Sequence, residues 1–151
     1  MSFLHPKRVR FKCERCAFCC GDTKYKVRRI LLLKIEAEYI SKKTFMSIDE
    51  FARKIDGFEP YTHIMKKTED SNCIFLKDKT CSIYQIRPLV CRFYPFQLQN
   101  LEDNRYVFTY TDECPGIGKG PYLKKRFFEK MFRNFTESMR EDRETKNGDS
   151  A

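Results

Sequence analysis

The chain of 151 residues has no tryptophan, two histidines, six glycines and six prolines. With so few histidines, a His-based metal site or catalytic triad has little to draw on. Neither His5 nor His63 sits in a recognisable catalytic string, and each reads as a surface or packed histidine. Long apolar runs are also missing. The longest aliphatic run is Ile30-Leu31-Leu32-Leu33, far short of the roughly 20 residues a spanning helix needs, so no membrane span is expected. The basic lead-in from Met1 to Lys12 carries no apolar stretch of the kind a secretory signal requires. A reducing, cytoplasmic compartment is therefore the expectation. No internal repeat or low-complexity segment is present. Disorder is excluded by 14 phenylalanines and 8 tyrosines.

Positive charge is in excess, and unevenly so. The net charge is +9, from 30 Lys and Arg against 21 Asp and Glu. Residues 1–43 hold 12 of the basic groups and 4 of the acidic ones. Such a surface attracts an acidic partner or nucleic acid. The basic residues are scattered without a long Lys/Arg block, so a solvated basic face is favoured over nucleic-acid binding.

The patterning predicts an α+β fold: one small domain over residues 1–143, with short strands and helices around bound metal and a long amphipathic C-terminal helix. Tyr25 to Leu32 reads as a strand and Leu33 to Lys43 as a helix, with Ile35, Tyr39 and Ile40 sharing a face. Ser47-Ile48-Asp49-Glu50 fits a capping box opening a helix to about Ile55, before Gly57. Pro60 to Asp70 is ambiguous. Cys73 to Leu76 reads as a short strand, followed by a hairpin turn at Lys77-Asp78-Lys79-Thr80. Cys81 to Phe96 is apolar and broken at Pro88 and Pro95. Tyr106 to Thr111 alternates as a strand, and Cys114 to Pro121 reads as loop. Tyr122 to about Arg143 is the clearest helix. Leu123, Phe127, Met131, Phe135 and Met139 recur at steps of four, flanked by Phe128 and Phe132. That face is expected to dock on the domain's own core. Residues 144–151 are expected to be a disordered tail.

The eight cysteines carry the chemistry. Four fall within one short stretch, Cys13, Cys16, Cys19 and Cys20, a clustering that suits a metal better than disulfides. Zinc accepts four thiolates in a closed tetrahedron, usually two from each of two separated turns. Three cysteines at C-x2-C-x2-C spacing instead resemble the iron–sulfur loop of bacterial ferredoxins, which takes its last ligand from a distant Cys-Pro. Cys114-Pro115 is such a dipeptide. One partition thus gives Cys13, Cys16, Cys19 and Cys114 to a [4Fe–4S] cluster. Cys20 then joins Cys73, Cys81 and Cys91 in a second four-thiolate site. Partitions placing Cys20 in the first site stay open, as does the choice between zinc and an iron–sulfur cluster. Arg87, Arg92 and Lys12 lie close enough in sequence to offset thiolate charge.

Taken together, Cys13-x2-Cys16-x2-Cys19-Cys20, Cys73-Ile-Phe-Leu, the block Ile83-Tyr84-Gln85-Ile86-Arg87-Pro88-Leu89-Val90-Cys91-Arg92-Phe93-Tyr94-Pro95-Phe96, and Cys114-Pro115 resemble the CxxCxxCC (YkgJ-like) zinc- or iron-chelating family. The resemblance spans residues 11 to 122 and takes in all eight cysteines in order. It implies metal binding through them, with the physiological role unassigned. Some larger members resemble S-adenosylmethionine-dependent flagellin lysine N-methylases, which leaves three classes in view: an iron–sulfur protein, a zinc-stabilised interaction module and a methylase-like enzyme. Gly116-x-Gly118-x-Gly120 lacks the strand–loop–helix setting of a nucleotide fingerprint. Tyr84, Tyr94 and Tyr110 read as packing residues with a hydroxyl at the edge.

Overall fold

The computed structural model describes residues 1–14, 20–24 and 26–149, with side chains described as far as residue 145. It is a mixed α and β fold, as the patterning predicts. Strand β1 (Ser2–Leu4) lies parallel to β9 (Arg105–Tyr110), which pairs antiparallel with β8 (Phe96–Asn100). Strand β9 is central in this sheet and β8 lies at its edge. Asp103 and Asn104, both with positive φ, turn the chain between them, and Asn and Asp tolerate that conformation best among residues with a side chain. A second sheet has the order β3 (Leu31–Leu32), β5 (His63–Met65), β4 (Ala52–Lys54). Strand β2 (Arg10–Phe11) pairs with β10 (Ile117–Tyr122), and β6 (Leu76–Lys77) with β7 (Thr80–Cys81).

The helices are α1 (Lys34–Thr44), α2 (Ile48–Phe51), α3 (Leu89–Phe93) and α4 (Lys125–Asp149). Ser47 forms the expected capping box with Glu50. Helix α2 stops at Phe51, however, because Ala52 to Lys54 pair with Met65, Ile64 and His63 on β5. A ladder offered by the neighbouring strand outweighs the local helical pattern there. The strand expected over Tyr25 to Leu32 is shorter: among the described residues its ladder is Leu31 and Leu32 on β5, with the Ile30 carbonyl accepting the Met65 N–H at 2.9 Å. The strand expected at Cys73 to Leu76 begins at Leu76. The turn after it falls on Asp78 and Lys79, both at positive φ as a tight hairpin requires. The expected loop over Cys114 to Pro121 contains strand β10, made by pairing with residues distant in sequence. Helix α4 starts later than Tyr122, which is taken up by β10, and runs on past Arg143 to Asp149.

Two apolar clusters form. One is aromatic: Phe93, Phe96, Phe108, Phe128, Phe132 and Phe135. Helix α4 lies on the β1-β9-β8 sheet through it, with Phe128 fully buried and its ring 5.2 Å from Phe96, edge to face. The helix thus docks on the domain's own core. His5 stacks on Phe128 at 4.8 Å, a packed histidine. The other cluster is mixed aliphatic and aromatic, built on Leu32, Ile40, Phe51, Met65 and Phe75.

Two carboxylates, half-buried Glu36 and buried Asp142, join the helices. Glu36 accepts the Leu33 N–H at 3.0 Å and the Leu89 N–H at 2.7 Å, capping α1 and tying it to the start of α3. Burial pushes its pKa up, against these two bonds and the Arg92 charge. Asp142 of α4, 1% exposed, accepts the Ile35 N–H at 3.0 Å.

Candidate metal centre

The cysteine loop is fixed at both flanks. Before it, the Lys12 N–H donates to the Gly116 carbonyl at 3.1 Å, continuing the pairing of β2 with β10. The approach is so close that a Cβ on Gly116 would lie 2.2 Å from the Lys12 carbonyl oxygen, so only glycine fits. After the loop, Thr23 Oγ1 donates to Glu113 Oε2 at 2.8 Å. Residues 113–116, which bracket Cys114, therefore touch the chain on either side of the loop. Cys114 is itself buried, and its carbonyl accepts the Ile117 N–H at 3.1 Å. Cys13 is exposed at the loop's entrance. Cys16 and Cys19 lie outside the described residues.

Cys20 is held by a different segment. Its carbonyl accepts the Cys73 N–H at 2.5 Å, Asp22 N–H donates to the Ser71 carbonyl at 3.0 Å, and Gly21 bridges to Asn72. Cys20 and Cys73 are both 4% exposed. The β6–β7 hairpin carries Cys81 back towards the segment of Cys73, with Cys81 opposite Leu76. Helix α3 supplies Cys91. Cys20, Cys73 and Cys91 lie within the second apolar cluster and Cys81 packs against it, while Cys114 is in neither group. The Phe75 N–H points at Cys73 Sγ, 3.5 Å away, the kind of backbone donation that favours a thiolate.

Cations border this group. Arg28 Nη2 donates to the Val90 carbonyl at 3.0 Å, beside Cys91, and its guanidinium lies 5.1 Å from the Tyr94 ring centre. Lys67 meets Asp22 at 2.5 Å, and Asp22 also accepts the Arg28 N–H at 2.7 Å. These bonds, the Lys67 contact first, hold the Asp22 carboxyl below its usual range. Of the cations expected from sequence to serve the cysteines, Arg87 instead covers the Tyr84 ring at 3.8 Å and donates to the Tyr84 carbonyl. Arg92 supplies positive charge to Glu36. The Arg28 and Lys67 positions were not legible, since each reaches its place through contacts across long sequence separations.

The donor set suits a soft metal ion or cluster: thiols, two of them in one buried apolar pocket and joined by a backbone bond, with an N–H on a sulfur. Among the described residues, no three Cys, His, Asp or Glu side chains converge closely enough to hold an ion. The fit rests on the chemistry of the donors and the segments that carry them.

A single α+β domain in which the residues flanking a cysteine-rich stretch bond to residues 113–116 and to the Cys73 segment defines a cysteine-cluster protein. The chain belongs to the CxxCxxCC family, described as "Putative zinc- or iron-chelating domain", which matches residues 12–115. Two uncharacterized proteins of Methanocaldococcus jannaschii are similar to it. MJ0661 is 32% identical over 121 residues, 76% of this chain and 60% of the relative. MJ0939 is 23% identical over 124 residues, 79% of this chain and 41% of the relative. The chain thus covers about half the length of these relatives. No solved structure matches it. Among the described residues, no helix is long and apolar enough to cross a membrane.

Proposed function

We propose that this metal-binding domain carries a [4Fe–4S] cluster on Cys13, Cys16, Cys19 and Cys114, and a second thiolate-bound metal on Cys20, Cys73, Cys81 and Cys91. The observation that carries the reading is the split at Cys20. Both flanks of the loop are bonded to residues 113–116, while the Cys20 backbone crosses to Cys73. That supports two ligand groups, with the loop's last cysteine assigned to the second. A bound [4Fe–4S] cluster supplies one-electron chemistry at a potential set by burial and by hydrogen bonds to sulfur. The protein's own part is to bury Cys114, donate the Phe75 N–H to Cys73, and set Arg28 and Lys67 beside the second group. Thiolate ligands need a reducing compartment, and we place the domain in the cytoplasm.

Anaerobic purification followed by iron, sulfide and zinc analysis and an absorption spectrum tests this. About four irons with matching sulfide and a broad visible band support the cluster. A colourless protein with zinc alone replaces it with a zinc-stabilised interaction module. A lysine N-methylase reading draws no support from the cleft beside the loop, where Lys26, Arg28 and Arg29 would repel a lysine substrate.

A further inference from the structure

A cleft of about 560 Å³ opens beside the cysteine loop, between the segment leading into β3 and the edge strand β8. Four successive residues of β8, Phe96 to Gln99, line it. Side chains alternate between faces along a strand, so a cavity touching four in a row reaches round the strand's edge, and Thr109 to Thr111 extend it onto the face of the sheet.

The direction of that edge's backbone groups follows from the register. Leu101 N–H donates to the Arg105 carbonyl at 2.7 Å, and Thr111 N–H to the Pro95 carbonyl at 3.2 Å. With Gln97 opposite Thr109 and Gln99 opposite Val107, the odd-numbered residues of β8 bond to β9. The N–H and C=O groups of Phe96, Leu98 and Asn100 therefore face away from β9. No strand pairs with them among the described residues. An edge of this kind is a template for another strand.

The opposite wall is cationic. Lys26 and Arg29 are exposed and Arg28 half-buried, while Glu113 is the one acidic side chain among the described lining residues and already accepts from Thr23. Arg29 lies over the half-exposed ring of Phe58 at 5.9 Å, and Val27 beside it is 64% exposed. Apolar surface thus alternates with positive charge along this wall.

We propose that this cleft binds an acidic peptide segment of a partner protein, in extended conformation, as an added strand on the outer edge of β8. Backbone hydrogen bonds to Phe96, Leu98 and Asn100 give affinity, and Lys26 and Arg29 select carboxylate side chains. The inference does not depend on which metal the cysteines hold.

The test uses the full metal-loaded chain and a fluorescein-labelled octapeptide of alternating Glu and Val, read by anisotropy. Controls are a Lys-Val octapeptide, the Glu-Val peptide N-methylated at every second residue in either phase, and glutarate as a small dicarboxylate competitor. The Glu-Val peptide should bind, more weakly as salt rises. The Lys-Val peptide should not bind, and at least one N-methylated phase should lose binding. Arg29→Glu and Lys26→Glu, both on exposed residues, should each weaken it by about tenfold. Leu98→Pro, which removes an outward N–H and leaves the β9 ladder intact, should abolish it. The proposal is overturned if the Glu-Val peptide does not bind, if both N-methylated phases bind as the parent does, if glutarate displaces the peptide completely, or if the charge reversals leave affinity unchanged. Should Leu98→Pro fail to fold, the N-methylated peptides make the same distinction.

Discussion

The N–H of Cys73 donates to the carbonyl of Cys20 across 2.5 Å. This bond joins the last cysteine of the N-terminal cluster to the first cysteine of the central block, 53 positions on in the sequence. At the other end of that cluster Lys12, the neighbour of Cys13, donates its N–H to the Gly116 carbonyl at 3.1 Å.

Two ligand groups predict separable losses. Cys91→Ser should remove the second metal and leave iron and sulfide largely in place. Cys114→Ser should remove the cluster and leave the second metal. Metal and sulfide analysis of both variants decides this, and loss of all metal from either one would point to a single shared site. Because bound metal contributes folding free energy, each variant should also melt earlier than the parent.

Gly116→Ala should be disruptive. The added methyl would lie 2.2 Å from the Lys12 carbonyl oxygen, inside any real contact, so β2 and β10 must separate. A loss of about 2 kcal/mol or more is expected from backbone strain of this type, measurable by urea denaturation. Iron content should fall with it, since Cys114 loses its hold on the loop's entrance. Gly118→Ala, where a Cβ would meet nothing within 4 Å, is the comparison; its φ of +87° makes that substitution costly through backbone strain alone.

The aromatic cluster should be energetically separate from metal binding. Phe128→Ala empties a fully buried site between Phe96, Phe108 and His5. Destabilisation of about 3–5 kcal/mol is expected, with metal stoichiometry unchanged at temperatures where the variant stays folded. Thermal unfolding with parallel metal analysis checks both halves of the statement.

Glu36 should leave a signature in the pH dependence of stability. Its pKa in the fold is raised above the ordinary 4.5, chiefly by burial. Below that ordinary value both folded and unfolded chains hold the proton. As pH rises from about 4.5 through the raised value, the unfolded chain ionises first, so this group's contribution to stability declines. Glu36→Gln should flatten that decline. The difference between parent and variant unfolding free energies, measured across the window, isolates the group; a difference independent of pH would refute it.

The family was legible because it is written in local spacing. C-x2-C-x2-C-C, the Cys-Pro dipeptide and the Arg-Pro-x2-Cys block are short patterns that mark the family wherever the chain goes. The C-terminal helix was legible for a similar reason: apolar residues at helical intervals define a face without reference to a partner. The boundaries were not, and each error has the same cause. Residues 52–54 continue a helical pattern and 117–122 carry three positions of glycine and proline, yet both pair as strands with segments far away in sequence. Strand pairing is non-local, so a neighbour's ladder decides it.

By itself, then, the sequence determined the family, the α+β composition and the greasy face of α4, because each depends on residue type and short-range period. The tertiary structure alone decided that the Cys20 backbone meets Cys73 and that the Lys12 backbone meets Gly116. It also decided that Arg28 reaches the Val90 carbonyl beside Cys91 and that Lys67 bridges to Cys73, and that the outer edge of β8 is unpaired among the described residues and faces a cationic wall. Those relationships rest on contacts between segments brought together only when the two apolar clusters close, and no local pattern encodes which segments will meet.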